Sequence, residues 1–132
     1  MPIGDLLSPD VELICTQVVD AGFKVHDKMQ PGLLESVYEA CLFYELKKRG
    51  LRVERQVPVP VFYDGEKLDI GFRMDLLVEA CVVIEVKAVE TMNPVFPLIL
   101  KNYLRLANKP VGFLMNFNVA KFKDGLKRII NN

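Results

Sequence analysis

Two hydrophobic periods divide this chain. From Pro9 to about Lys28, the residues Val11, Ile14, Cys15, Val18 and Val25 recur at the spacing of a single helical stripe. Ser8 is placed to cap that helix, with Pro9 at its first position and Asp10 and Glu12 in its first turn. Pro31–Gly32 separates it from a second helical pattern, Leu33 to about Arg49. Lys47, Lys48 and Arg49 suit the C-terminal end of that helix, and Gly50 stops it. Its apolar positions, from Leu33 and Leu34 through Tyr38, Leu42 and Tyr44 to Leu46, cover more than one face, which predicts burial on several sides.

Beyond Gly50 the period falls to two. Val53, Val57, Val59, Val61 and Tyr63 alternate with polar residues and with Pro58 and Pro60. Proline donates nothing to a ladder, so this strand is expected at an edge or with a bend. Asp64–Gly65 is a hairpin turn, and a strand from about Lys67 to Phe72 returns from it. Met74–Glu79 and Cys81–Val89 read as two more strands, rich in Val, Leu and Ile. A third helix is expected over about Pro97 to Ala107, then a buried strand over Val111–Phe117. The tail from Val119 to Ile130 has a weaker pattern, read as a helical turn and then a short strand after Gly125. The sum is a mixed α/β domain over residues 1–132, a sheet flanked by helices.

Composition narrows the function classes. Lys plus Arg is 17 and Asp plus Glu is 17, which excludes a general basic coat; a nucleic-acid site here must be a local patch. Two such patches are available, Lys47, Lys48, Arg49, Arg52 and Arg55, and Lys121, Lys123, Lys127 and Arg128. Solvated helix ends explain them as well as phosphate contacts do. Cys15, Cys41 and Cys81 are odd in number and widely spaced, so they form no disulfide framework or paired-cysteine metal site. Free thiols fit a reducing cytoplasm. Met1–Leu7 carries no basic segment before an apolar one, so no secretory signal is expected there. Apolar runs are too short for a membrane span. His26 is the only histidine, which excludes a histidine-based metal site and a Ser–His–Asp triad. No Gly-rich phosphate loop is present.

The chemistry concentrates in Val82-Val83-Ile84-Glu85-Val86-Lys87, where two ionisable side chains interrupt an apolar strand. Residues two apart share a strand face, so Glu85 and Lys87 point the same way, roughly 7 Å apart. Asp75 lies ten residues before Glu85. With Glu79, Ala80 and Cys81 as the connecting loop, Asp75 stands opposite Glu85 on the same face. Two such carboxylates repel, and a divalent cation removes the penalty. An ordinary ion-paired, solvated sheet face is the other reading of that spacing. A two-residue loop would turn Asp75 to the opposite face.

Asp75 followed by Glu85-Val86-Lys87 resembles the D-x(n)-(D/E)-x-K signature of the PD-(D/E)xK nuclease superfamily. Gly32-Leu33-Leu34-Glu35-Ser36-Val37-Tyr38 is similar to the motif that names the GxxExxY protein family. That resemblance continues through Leu51–Tyr63, Arg73–Glu79, Ile84–Glu90, Pro94-Val95 and Gly112–Asn118. It implies a restriction-endonuclease-like core of order αβββαβ, and a Mg²⁺- or Mn²⁺-dependent phosphodiester hydrolase acting on nucleic acid. Glu35, Asp75 and Glu85 would ligate the metal, and Lys87 would assist the attacking water as a cation. One segment departs from the family pattern: Phe96-Pro97-Leu98-Ile99 stands where His-Glu-Ala-Gln is usual. That departure supports a rival reading, a catalytically silent protein-interaction or homo-oligomerising module that keeps the fold. Tyr103 matches the tyrosine of the family's next helix and is expected to be a packed residue with a locally satisfied hydroxyl. Tyr38, one turn from Glu35, is expected either in the core or as a hydrogen-bonding member of the site.

Overall fold

The computed structural model describes residues 7–132, so the expectation for the amino-terminal stretch lies, up to residue 6, outside the described residues. Helix α1 spans Pro9–Met29, with the Ser8 hydroxyl accepting from the Val11 amide as the first turn requires. Helix α2 spans Glu35–Lys48 and α3 spans Val95–Ala107. The strands are β1 Val53–Tyr63, β2 Glu66–Val78, β3 Val82–Lys87, β4 Val111–Asn116 and β5 Leu126–Ile130. They form one sheet in the order β1-β2-β3-β4-β5, antiparallel except for the parallel β3–β4 pair. The αβββαβ order is thus present, with a second helix before it and β5 after it.

Helices cover both faces of the sheet. On one, α1 and α2 bury Cys15, Val18, Val25, Tyr38, Leu42 and Leu46 against Leu76, Ile84, Val86 and Phe113. On the other, Leu100 and Leu104 of α3 cover Val59, Leu77, Val83 and Leu114. Gly112 permits this close approach, since a Cβ there would stand 3.0 Å from a Leu100 methyl. β3 and β4 lie between the two layers, which is why their sequences read as apolar runs instead of alternating.

Two expectations need correction. The stretches Lys67–Phe72 and Met74–Glu79 are not separate strands; β2 runs unbroken through Arg73 because β1 pairs with it along nearly its whole length. Helix α2 is not buried on several sides. Its buried stripe is Tyr38, Glu39, Leu42, Glu45 and Leu46, while Leu34 and Tyr44 are exposed. The tail follows the expected order, a 3₁₀ turn over Phe122–Gly125 and then β5. β1 is an edge strand and also irregular, with a register shift between Pro60 and Phe62.

Buried polar groups fasten α2 to its neighbours. The Tyr38 hydroxyl donates to the Gln30 carbonyl at 2.6 Å and accepts from the Leu33 amide at 3.0 Å, while its ring stacks on Phe117 at 4.7 Å. Tyr38 is therefore a core residue that closes the α1–α2 turn. His26, buried, donates from Nε2 to the Val119 carbonyl at 2.7 Å, a structural role. Glu45 receives Arg49 at 2.9 Å and Lys24 at 3.2 Å, with Lys48 at 3.5 Å. Burial pushes its pKa up, but the Arg49 and Lys24 hydrogen bonds outweigh that and hold it down at about 2. A carboxylate whose folded pKa is depressed contributes stability above its unfolded value, about 4.5, and loses it as pH falls toward 2. The Glu45→Gln variant should therefore melt below the wild type at pH 7, with the gap closing between pH 4.5 and 2 in an acid melting series.

Candidate functional site

The β2–β3 hairpin turns through Glu79, Ala80 and Cys81, with Glu79 and Ala80 both at positive φ (50° and 56°) and the Cys81 amide donating to Val78. This loop fixes the register Val78–Val82, Leu77–Val83 and Leu76–Ile84. The next rung in that register sets Asp75 opposite Glu85, and there the backbone ladder stops. Side chains replace it: the Val86 amide donates to Asp75 Oδ2 at 2.8 Å, and the Asp75 amide donates to Glu85 Oε1 at 3.2 Å.

Electrostatics at this rung are severe. Glu85 is 7% exposed. Burial first, and then the Asp75 charge, push its pKa up to about 9. Asp75 is half-buried, and desolvation raises its pKa too, offset in part by the Val86 amide. Among the described residues, no Lys, Arg or His nitrogen lies within 4 Å of either carboxylate. Lys87 shares the Glu85 face, as period two requires. Its ammonium lies over the Phe96 ring, 4.5 Å from the centroid. Glu85 and Lys87 line a cavity of about 80 Å³ with Phe96, Ile99, Leu100, Tyr103 and Leu114. That is room for about two or three waters.

Glu35, the first residue of α2, is exposed and outside that cavity. It is close enough for Lys87 to lower its pKa and for Asp75 and Glu39 to raise it, with desolvation the largest cause and the net shift upward. No group of three or more His, Cys, Asp or Glu side chains among the described residues is gathered as a metal cage. The structure thus joins Asp75 to Glu85 and sets Lys87 on the Glu85 face. It does not bring Glu35 into a shared cluster with the carboxyl pair. Two carboxylates still fit a hard cation that keeps most of its waters, and a buried carboxyl pair without a counter-cation is the donor chemistry such an ion satisfies.

Other expectations sort cleanly. Tyr103 packs its ring on Phe72 at 4.2 Å, and burial raises its pKa, followed by the charges of Glu85 and Asp75. Its hydroxyl makes no hydrogen bond to a described residue; the ring lines the cavity instead. Most of the first basic patch is spent on ion pairs: Arg49 with Asp20 and Glu45, Lys48 with Glu45, Arg52 with Glu79, Arg55 with Glu39. Arg128 of the second patch is held bidentately by Glu12. The cysteines are all free; burial raises the Cys15 pKa to about 11.

Two contributors escaped the sequence reading. Asn116, 2% exposed, accepts from the Val89 and Asn118 amides and donates to the Val89 carbonyl, so it pins the chain two residues past Lys87. Glu39 is buried one turn after Glu35, and the i, i+4 spacing of two glutamates was the available signal.

A family model for the PD-(D/E)XK nuclease superfamily matches residues 12–129. The chain belongs to the PD-(D/E)XK nuclease superfamily. Its five-stranded mixed sheet with flanking helices is accordingly the restriction-endonuclease-like fold of that superfamily, whose nucleases generally use divalent metals. No curated protein and no solved structure matches the chain. No helix among the described residues is long and apolar enough to cross a membrane.

The carboxyl pair has a stability consequence independent of any ligand. Asp75→Asn keeps an oxygen for the Val86 amide while removing one charge from the rung. In metal-free buffer this variant, like Glu85→Gln, should melt at or above the wild-type temperature, by roughly 1 kcal/mol of stability at most. A clear fall in melting temperature for both would mean that the rung is held by charge pairing instead.

Proposed function

We propose that this protein is a metal-dependent phosphodiester hydrolase acting on nucleic acid, formed by residues 1–132 as one nuclease-like domain of the GxxExxY family. The Gly32–Tyr38 motif and the ordered segments after it support the family placement. The observation that carries the reading is the carboxyl pair of half-buried Asp75 and buried Glu85, without a counter-cation among the described residues, beside Lys87.

Asp75 and Glu85 would hold Mg²⁺ or Mn²⁺, with Glu35 reaching the same ion through water. An ion bound there supplies a Lewis acid for the phosphate and an acidified water. The chain's own part is geometric and electrostatic. The Val86 and Asp75 amides fix one oxygen of each carboxylate, which orients the free oxygens. Lys87, as a cation, orients water and meets the negative charge that develops on the transferring phosphate. Phe96, Ile99, Leu100 and Leu114 exclude bulk water from that corner. Free thiols support a reducing, cytoplasmic setting.

The alternative, a silent protein-interaction or homo-oligomerising module, is favoured by one specific observation. Phe96 and Ile99, apolar where the family pattern is polar, line the cavity itself. Two measurements separate the readings. Millimolar Mg²⁺ or Mn²⁺ should raise the melting temperature, and Asp75→Asn should abolish the rise, because binding to the native state alone stabilises it. Cleavage of single-stranded, duplex and branched DNA and RNA should fall by about 10²-fold or more in Lys87→Ala while that thermal shift persists. Lys87→Arg should not restore it, since the guanidinium has different donor geometry. A melting temperature indifferent to divalent ions, with no cleavage, establishes the silent module. Metal binding without cleavage directs attention to Ile99, and Ile99→Gln is then the variant to assay.

A further inference from the structure

Asp75 is not aimed by its own strand alone. Val53 of β1 packs with the α1–α2 core, while Val57 and Val59 pack with the α3 core. On β2, Leu76 and Val78 face the first core, while Phe72 and Met74 face the second. Both strands therefore exchange faces at one rung, between Arg55–Leu76 and Val57–Met74. The two residues of that rung are Gln56 and Asp75, and their pair is missing from the ladder. Gln56 holds φ at 52°, in the left-handed region that non-glycine residues occupy only under constraint.

The constraint comes from α2. Glu39, 7% exposed, accepts from Gln56 Nε2 at 2.9 Å and from Arg55 Nη2 at 3.1 Å and Nε at 3.3 Å. Arg55 also lies over the Phe43 ring of α2, 5.3 Å from its centroid. The β1 residue at the face exchange, Gln56, and the one before it, Arg55, are thus fastened to the helix. A slipped crossover would carry Asp75 to the wrong face, since a one-residue change of phase inverts every side chain beyond it.

We infer that Glu39 is a positioning residue: through Gln56 and Arg55 it holds the β1–β2 crossover that turns Asp75 toward the Val86 amide and Glu85. It touches neither carboxyl of the rung by a hydrogen bond and acts through the backbone opposite Asp75. The inference rests on the reading above for the use made of Asp75, but its geometric content stands in the metal-free protein.

The test uses the full chain and two variants. Gln56→Gly suits a φ of 52° and removes only the side-chain clamp, so its melting temperature should stay near the wild type. Glu39→Gln leaves Arg55 without its carboxylate and is the stronger perturbation. The first readout is hydrogen exchange of the Val86 amide in metal-free protein. It should quicken about tenfold or more in both variants while the amides of β4 keep their rates. The second is Mn²⁺ affinity by calorimetry, expected to weaken about tenfold. A purely structural Glu39 would lower the melting temperature and speed exchange across the whole sheet together, which overturns the inference. So does a Gln56→Gly protein with wild-type Val86 exchange and Mn²⁺ affinity. If Val86 exchange quickens selectively while even the wild type binds no Mn²⁺, the positioning role stands and the metal reading falls. Should Glu39→Gln fail to fold, Gln56→Gly alone decides.

Discussion

One rung of the sheet costs the structure more than any other, and the rest of the fold is arranged so that the cost can be met. At Asp75 and Glu85, two antiparallel strands exchange backbone hydrogen bonds for side-chain to backbone bonds and set a half-buried carboxyl opposite a buried one. Burying an ionised carboxylate is expensive, and a second carboxylate opposite it adds repulsion that favours the neutral form of Glu85. Such an arrangement persists only if the surroundings over-determine it. Here they do: a three-residue turn at Glu79–Cys81 sets the register, and the parallel β3–β4 pair, packed on both faces, holds Glu85 from the other side.

The helices complete that restraint from two directions. Tyr38 ties the α1–α2 turn to the sheet through Phe117, which follows β4, and so fixes where α2 begins and where Glu35 stands. The Phe117 amide in turn donates to the Lys87 carbonyl at 2.9 Å, and Asn116 grips Val89. The same aromatic cluster therefore orders both the helix that carries Glu35 and the end of the strand that carries Lys87. Stability and site geometry share these contacts, so a large-to-small change at Phe117 would disturb both.

How far the sequence revealed this follows from which signals are local. Ser8, Pro9, Gly50 and Asp64–Gly65 mark ends that depend on neighbouring residues alone, and those ends stand close to where the pattern placed them. The pairing of Asp75 with Glu85 was legible because the length of the loop between their strands sets the register. What the pattern could not show depended on distant partners. β2 reads as two strands because Gly71 and Arg73 interrupt its apolar residues, yet pairing with β1 carries it through. Tyr44 counts as apolar on helix α2 but is exposed, with the Lys48 ammonium over its ring, so a broad stripe was mistaken for deep burial. Glu35 matched a motif by residue type, while its distance from the carboxyl pair depends on how α2 lies across the sheet, which no local spacing encodes.

The apolar wall beside Glu85 links these points to chemistry. Phe96, Ile99, Leu100 and Leu114 remove water from one side of the carboxyl, and that removal is the first cause of its pKa near 9. The same low-dielectric surroundings would strengthen the attraction of the pair for a divalent charge, because the Coulomb term grows as solvent screening is lost. With its pKa raised, Glu85 would have to lose a proton to serve as a metal ligand, so metal binding there would be coupled to proton release. Phe96 also competes for Lys87, offering its ring face to the ammonium. The residues that depart from the family pattern thus act on the two groups on which hydrolysis would depend, favouring charge neutralisation at Glu85 while drawing Lys87 toward a ring. Under the proposed function, retention of the fold and retention of hydrolysis are therefore separate questions, and Phe96 and Ile99, which line the cavity beside Glu85 and Lys87, are where they would separate.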